Sequence, residues 1–155
     1  MALTVTVEDG TGLAAANSYI SRANADSYFE RHLHKGTWTG STQTTKNAGV
    51  VMATRLIDDY FAFVGTKVGT TQALEFPRFG VEDRSGNTLT ATTLPNELVE
   101  ATAELAQFLI ASDRAADPEG IGFEKLKVGN LELVPDRNNT VQVIPNIVTM
   151  MLLSI

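Results

Sequence analysis

The chain has no cysteine. That removes disulfides, thiolate metal sites and cysteine nucleophiles. Basic charge is scarce as well: twelve Lys and Arg stand against eighteen Asp and Glu, a formal net charge of −6. Nowhere do three basic residues fall together, whereas sequence-neutral binding of a nucleic-acid backbone needs clustered cations that release counterions. Nucleotide and hydrolase signatures are missing too. Gly10-x-Gly12 does not continue to a third glycine opening a helix, and neither Gly-x-x-x-x-Gly-Lys-[Ser/Thr] nor Gly-x-Ser-x-Gly occurs. No basic n-region followed by a long apolar core opens the chain, so the expectation is synthesis in a cytosol without a secretory signal. At 155 residues a single domain with a genuine core is expected.

What the chain does have is an uncharged end. Val141 to Ile155 carries no charged residue. Termini are ordinarily polar and frayed, so a stretch this apolar asks for burial. It is shorter than the roughly 18 apolar residues of a membrane span, and Pro145 and Asn146 interrupt it. Two readings stay open: a last helix, started by Pro145, that completes the core, or a segment that docks on a partner by helix or strand addition.

Local patterning indicates a mainly α chain with a small β component. Leu3 to Val7 alternates like a short strand and ends at Asp9-Gly10-Thr11-Gly12. Ser21 can cap a helix whose apolar set is Ala25, Tyr28, Phe29, His32 and Leu33, running to about His34 and closed by Gly36. Residues 37–45 read as a loop carrying Trp38. A second helix is expected from about Thr44 to Val64, with Ala53, Leu56, Ile57, Tyr60, Phe61 and Val64 as its buried stripe and Gly65 as its stop. Residues 65–94 lack helical period, which predicts either an arm that contacts something or a pair of short strands. A third helix starts around Thr93-Leu94-Pro95, buries Leu98, Ala101, Thr102, Leu105, Phe108 and Leu109, and ends near Ser112. Glu124–Val128 and Leu131–Val134 alternate around Gly129-Asn130, the pattern of a hairpin with a two-residue turn. Residues 1–143 thus form one unit with an insertion at about 65–94, and 144–155 is an apolar tail.

Few side-chain groupings suggest chemistry. His32-x-His34 diverges on a helix and chelates poorly. Asp58-Asp59 diverges likewise and reads as a solvated helix face. Asp83-x-Ser85-x-Asn87 lacks the glycine and terminal glutamate of a calcium loop and reads as a turn. Trp38, Tyr60, Phe61, Phe63 and Phe76 could stack bases, but few basic residues interleave with them, which favours core packing. Phe76-Pro77-Arg78 is the most distinctive internal motif. It is either a loop anchored by Phe76 or an interface that presents Arg78. No catalytic, metal or cofactor residues are assigned, and no enzyme activity is expected.

An ordered series of motifs carries a resemblance over nearly the whole chain. It runs Asn17-Ser18-Tyr19-Ile20-Ser21, Ala25-Asp26-x-Tyr28-Phe29, Ala53-Thr54-x-Leu56-Ile57-Asp58, and Gln72-Ala73-Leu74-x-Phe76-Pro77-Arg78. It continues through Gly86, Leu94-Pro95 and Ala101-Thr102-Ala103-Glu104-Leu105-Ala106 to Glu124-Lys125-x-Lys127-Val128-Gly129. This resembles a family from the structural gene clusters of tailed bacteriophages, often labelled "putative DnaT-like single-stranded DNA-binding protein", and is similar in layout to head–tail connector (adaptor, head-completion) proteins. The resemblance implies a connector domain of three to four helices with a β-hairpin, assembling as a ring beneath the portal, about twelve-fold if it matches the portal. Such a ring extends the channel for genomic double-stranded DNA without reading its sequence, offers a surface to the tail or the next neck (stopper) protein, and sits in the virion neck with no membrane contact. The implied portal-facing residues are Ile144, Pro145, Ile147, Val148, Met150, Met151, Leu152, Leu153 and Ile155. Phe76, Pro77, Arg78 and Arg84 would serve an inter-subunit or channel arm. The rival expectation is a single-stranded DNA-binding replication accessory protein, which acidic charge counts against.

Overall fold

A computed structural model describes residues 3–116, 126–128, 131–133, 142–153 and 155. Among these residues lie five helices, α1 (Arg22–Phe29), α2 (Gly36–Thr39), α3 (Gln43–Tyr60), α4 (Asn96–Ala111) and α5 (Asn146–Leu152), and two small antiparallel ribbons, β1 (Thr66–Lys67) with β2 (Arg78–Phe79) and β3 (Leu126–Val128) with β4 (Leu131–Leu133). The fold is mainly α, as the periodicity predicts. In the second ribbon Val128 pairs with Leu131 and Leu126 with Leu133, the register of the expected two-residue turn. The outer ends of that predicted hairpin, Glu124, Lys125 and Val134, lie outside the described residues, as does the turn itself.

α4 is the centre of the molecule. α3 packs along it, α5 covers another side, and α1 and α2 close the remainder. Its run Ala101–Ala106 is buried throughout, because small alanines let three helices approach one axis. Phe108 and Leu109 are only half-buried. Tyr19, Phe29, Trp38, Val50, Ile57, Phe76, Val81, Leu98, Leu105 and Val148 fill the core.

Several boundaries differ from expectation for local reasons. Ser21 caps α1 through Asn24 N–H at 3.0 Å, but the helix stops at Phe29 and tightens through His32 N–H to Phe29 O. Leu33 is therefore thrown outward at 88% exposure, not buried. Gly36 opens α2 instead of closing α1. The predicted 37–45 loop contains this short helix because Trp38 is fully buried against Phe29, ring centroids 5.0 Å apart. Thr42 caps α3 through Thr45 N–H. The helix ends at Tyr60, and Phe61 is extended. Phe61 and Phe63 then alternate so that Phe63 meets Phe76 edge-on at 4.9 Å. The expected stripe fails at its last turn: Tyr60 and Val64 are 57% and 60% exposed. Leu3–Val7 forms no strand beyond a single bridge from Val7 to Ser18. Asn17 ties that segment instead, accepting from Thr6 N–H and donating to Thr4 O.

The 65–94 region is not a projecting arm. Its first half folds on the domain as β1 and β2, with Leu74, Phe76 and Val81 buried. Gly65 makes this possible: it has φ +76°, and a Cβ there would stand 2.0 Å from Phe79 O. The second half turns at Asp83, whose carboxylate accepts from Ser85 and Asn87 N–H. That is turn chemistry, as predicted.

Candidate functional site

The most organised polar cluster joins the end of α3 to the β1–β2 segment. Asp58 sits in the last turn of α3. One of its carboxylate oxygens accepts from the Tyr19 hydroxyl at 2.5 Å and the other from Glu75 N–H at 3.1 Å. The Tyr19 hydroxyl in turn accepts from Phe76 N–H at 3.1 Å. Burial pushes the Asp58 carboxyl up to about 6 against the pull of the Tyr19 and Glu75 donors. Burial, then the neighbouring Asp58 charge, raises the Tyr19 hydroxyl. This pair corrects the reading of Asp58 as a solvated residue. Asp59, its neighbour, is exposed.

Arg78 completes the cluster. Its guanidinium donates to Val64 O at 2.7 Å, Gly65 O at 2.8 Å and the Glu75 carboxylate at 2.7 Å, and its side chain is 11% exposed. Lys67 pairs with the other Glu75 oxygen at 2.9 Å. Burial would raise Glu75, but Lys67 and Arg78 overrule it and hold the carboxyl below its ordinary value. Phe76 and Pro77 are buried. Phe76-Pro77-Arg78 is thus tied down within the chain, with the Arg78 guanidinium engaged by its own loop. Of the expected arm residues, only Arg84 is exposed.

The uncharged tail has two faces. Ile144, Val148 and Leu152 are 7%, 0% and 2% exposed and pack in the core, and Pro145 is buried with them. Ile147, Met150 and Leu153, spaced by three, are 50%, 67% and 76% exposed. Met151 and Ile155 are half-buried. Tail and core thus share one apolar cluster, while one apolar stripe of α5 meets solvent.

A groove of about 410 Å³ lies between α1 and the first turns of α4, lined by Asn24, Tyr28, Arg31, Asn96, Val99 and Glu100 among others. The Arg31 guanidinium lies 5.6 Å from the centre of the Tyr28 ring and 3.4 Å from the Glu100 carboxylate. Behind it the Tyr28 hydroxyl donates to buried Glu104 at 3.0 Å, and burial followed by Glu104 raises that hydroxyl.

Among the described residues several basic side chains are held within the molecule. Lys46 pairs with Asp26 at 2.7 Å and lies over Trp38. Burial raises Asp26, but Lys46 and the Trp38 N–H together lower it below the ordinary value. Arg114 donates to the carbonyls of Gln142 and Val143. Three polar groups that sequence reasoning missed are buried and satisfied. Glu8 accepts from Gly10, Gly12 and Leu13 N–H. Gln72 receives Gly69 N–H and donates to Leu74 and Pro77 carbonyls. Glu104 faces Tyr28 and His32. A lone acidic or amide letter carries no mark of the backbone it will meet. Among the described residues no helix is long and apolar enough to cross a membrane, and no grouping of three or more His, Asp or Glu could hold a metal.

A family model described as "Putative DnaT-like ssDNA binding protein" matches residues 1–153. No curated protein and no solved structure matches the chain.

Proposed function

We propose that this chain, which belongs to the family described as "Putative DnaT-like ssDNA binding protein", is a non-enzymatic structural subunit of a phage virion. In this reading it is a head–tail connector that assembles as a ring beneath the portal, extends the DNA channel and carries the attachment surface for the tail or the next neck protein. The observation that carries the reading is the solvent-facing apolar stripe Ile147, Met150 and Leu153 on a helix with no charged residue. Contiguous exposed apolar side chains mark protein contacts. A ring needs two different complementary patches per subunit. Tyr60 at the end of α3, Val64 between α3 and β1, and Phe79 on β2 supply a second exposed apolar set. Net charge of −6 suits a wall along which DNA slides rather than a clamp. Within the tail, Ile147, Met150 and Leu153 are the portal-facing candidates, and Ile144, Val148 and Leu152 support them from beneath.

The family description itself favours a second reading, single-stranded DNA binding. Its best location is the α1–α4 groove, where Tyr28 and Arg31 could stack a base. Glu100 and Glu104 in and behind that groove oppose a phosphate backbone.

Two measurements separate the readings. Light scattering on the purified chain should report a large closed oligomer, and fluorescence anisotropy with a labelled oligonucleotide should give only weak binding at physiological salt. An affinity of micromolar or tighter that falls steeply with salt replaces the connector reading with the DNA-binding one.

A further inference from the structure

We infer that the α1–α4 groove receives the Leu33 loop of a second copy of this chain, so that two copies pair about a two-fold axis with each Leu33 in the other's groove. The inference stands apart from the ring reading.

The inserted part is the tip between α1 and α2. Where the chain tightens after Phe29, Leu33 points outward at 88% exposure, the most exposed large apolar side chain among the described residues. Basic residues surround it: Arg31 and His34 are exposed and Lys35 is half-buried. Glu30 precedes them, and the next acid in the chain is Asp58. A lone exposed leucine is ordinary. This one stands in a cationic tip beside an open groove of opposite character.

The floor of that groove is apolar, formed by Ile20, Tyr28 and Val99. Its rim carries the exposed carboxamides of Asn24 and Asn96. Each offers a donor and an acceptor, the pair of groups that the main chain of a crossing segment needs. Glu100 lines the groove, and Glu97 lies one turn nearer the start of α4. Within the chain Glu100 meets only the Arg31 guanidinium, at 3.4 Å and with both side chains well exposed, so Glu97 is left without a cation there. His34 and Lys35 of a second copy supply the missing positive charge, and Leu33 supplies the apolar group for the floor. The same two glutamates repel a phosphate backbone, which sets this occupant above a nucleic acid.

Groove and tip are neighbours on one face. Arg31 lines the groove, and Leu33 lies two residues on, at most about 7 Å away along the backbone. A two-fold contact is self-complementary: when the tip of one copy meets the groove of the other, the reverse contact forms as well. Because the two parts adjoin, both contacts fit into one small patch around the axis. Neither part has to rearrange, since Leu33 already points outward and the groove is already open.

The test exploits the absence of cysteine, which makes any engineered thiol the sole one in its chain. Asn24→Cys and Leu33→Cys chains, distinguished by a mass tag, are mixed in a glutathione redox buffer. Their mixed disulfide should form about tenfold or more faster than that between Leu33→Cys and Ser85→Cys chains, because pairing raises the effective thiol concentration only at the groove. Ser85 is the control because it is exposed on the Asp83 turn. Leu33→Asp alters a solvent-facing position and should keep the circular dichroism of the wild type while separating pairs in light scattering. Equal disulfide rates, or one mass for wild type and Leu33→Asp, overturn the pairing. If a large closed oligomer persists in Leu33→Asp, the ring reading stands without the pair. Pairs that never assemble further keep this inference and remove the ring.

Discussion

Asp58 concentrates the physical interest of this chain at the residue scale. Its carboxylate receives two donors, yet burial dominates and lifts it to about 6. The sign of the linkage follows from that. A folded-state value above the unfolded one, about 3.8, contributes stability that is complete below pH 3.8 and lost as pH rises through about 6. The stability difference between wild type and Asp58→Asn should therefore shift against wild type from pH 4 to pH 7, as read by urea titrations across that range; an unchanged difference would show that Asp58 does not titrate there. Tyr19→Phe removes the hydroxyl that receives Phe76 N–H and feeds Asp58, and it should cost about 1–3 kcal/mol, because a buried donor loses its partner. Arg78→Ala should likewise lower stability by about 2–3 kcal/mol through its lost charge-assisted contacts to Val64, Gly65 and Glu75. That outcome belongs to a residue spent on its own loop. A variant with native stability but impaired assembly would return Arg78 to the interface.

At the scale of elements, α5 divides into a supporting face and a presenting face. Leu152→Ala should cost about 2–3 kcal/mol, towards the low end for a buried leucine because a short terminal helix can shift to fill the gap. Leu153→Ala, on the exposed stripe, should change stability by less than about 0.5 kcal/mol while weakening association in light scattering. Equal effects on stability from both would erase the distinction between the faces. The existence of α1, α3 and α4 was legible because each shows a clear 3.6-residue period, and Ser21 marked its cap correctly. The ends of α1 and α3 were not. Phe29 and Trp38 stack across a turn, and the chain leaves helical geometry at Phe61 so that Phe63 meets Phe76, with Phe61 stacked on Phe63. Such long-range aromatic contacts override local period. The 65–94 region was legible only as non-helical, since the contacts that hold it down come from Tyr19 and Asp58, far away in sequence.

For the whole molecule, acidic charge and internally paired cations set the expectation towards nucleic acid. Binding to an oligonucleotide should be weak at physiological salt and should gain little in affinity as salt is lowered, because few phosphates would be neutralised. A steep salt dependence would reveal a cation track that the paired Lys46, Lys67 and Arg78 do not provide. By itself the sequence determined the helical class, the β3–β4 register, the absence of thiol chemistry and the uncharged, apolar character of the tail. Each of these follows from residue identity and short-range spacing. Only the tertiary structure decided that Phe76-Pro77-Arg78 is tied down by its own loop, that Asp58 is half-buried against Tyr19, and that one face of the tail belongs to the core while the other meets water. Those outcomes depend on which distant segments share a dielectric and compete for the same hydrogen bonds, and no local pattern encodes that.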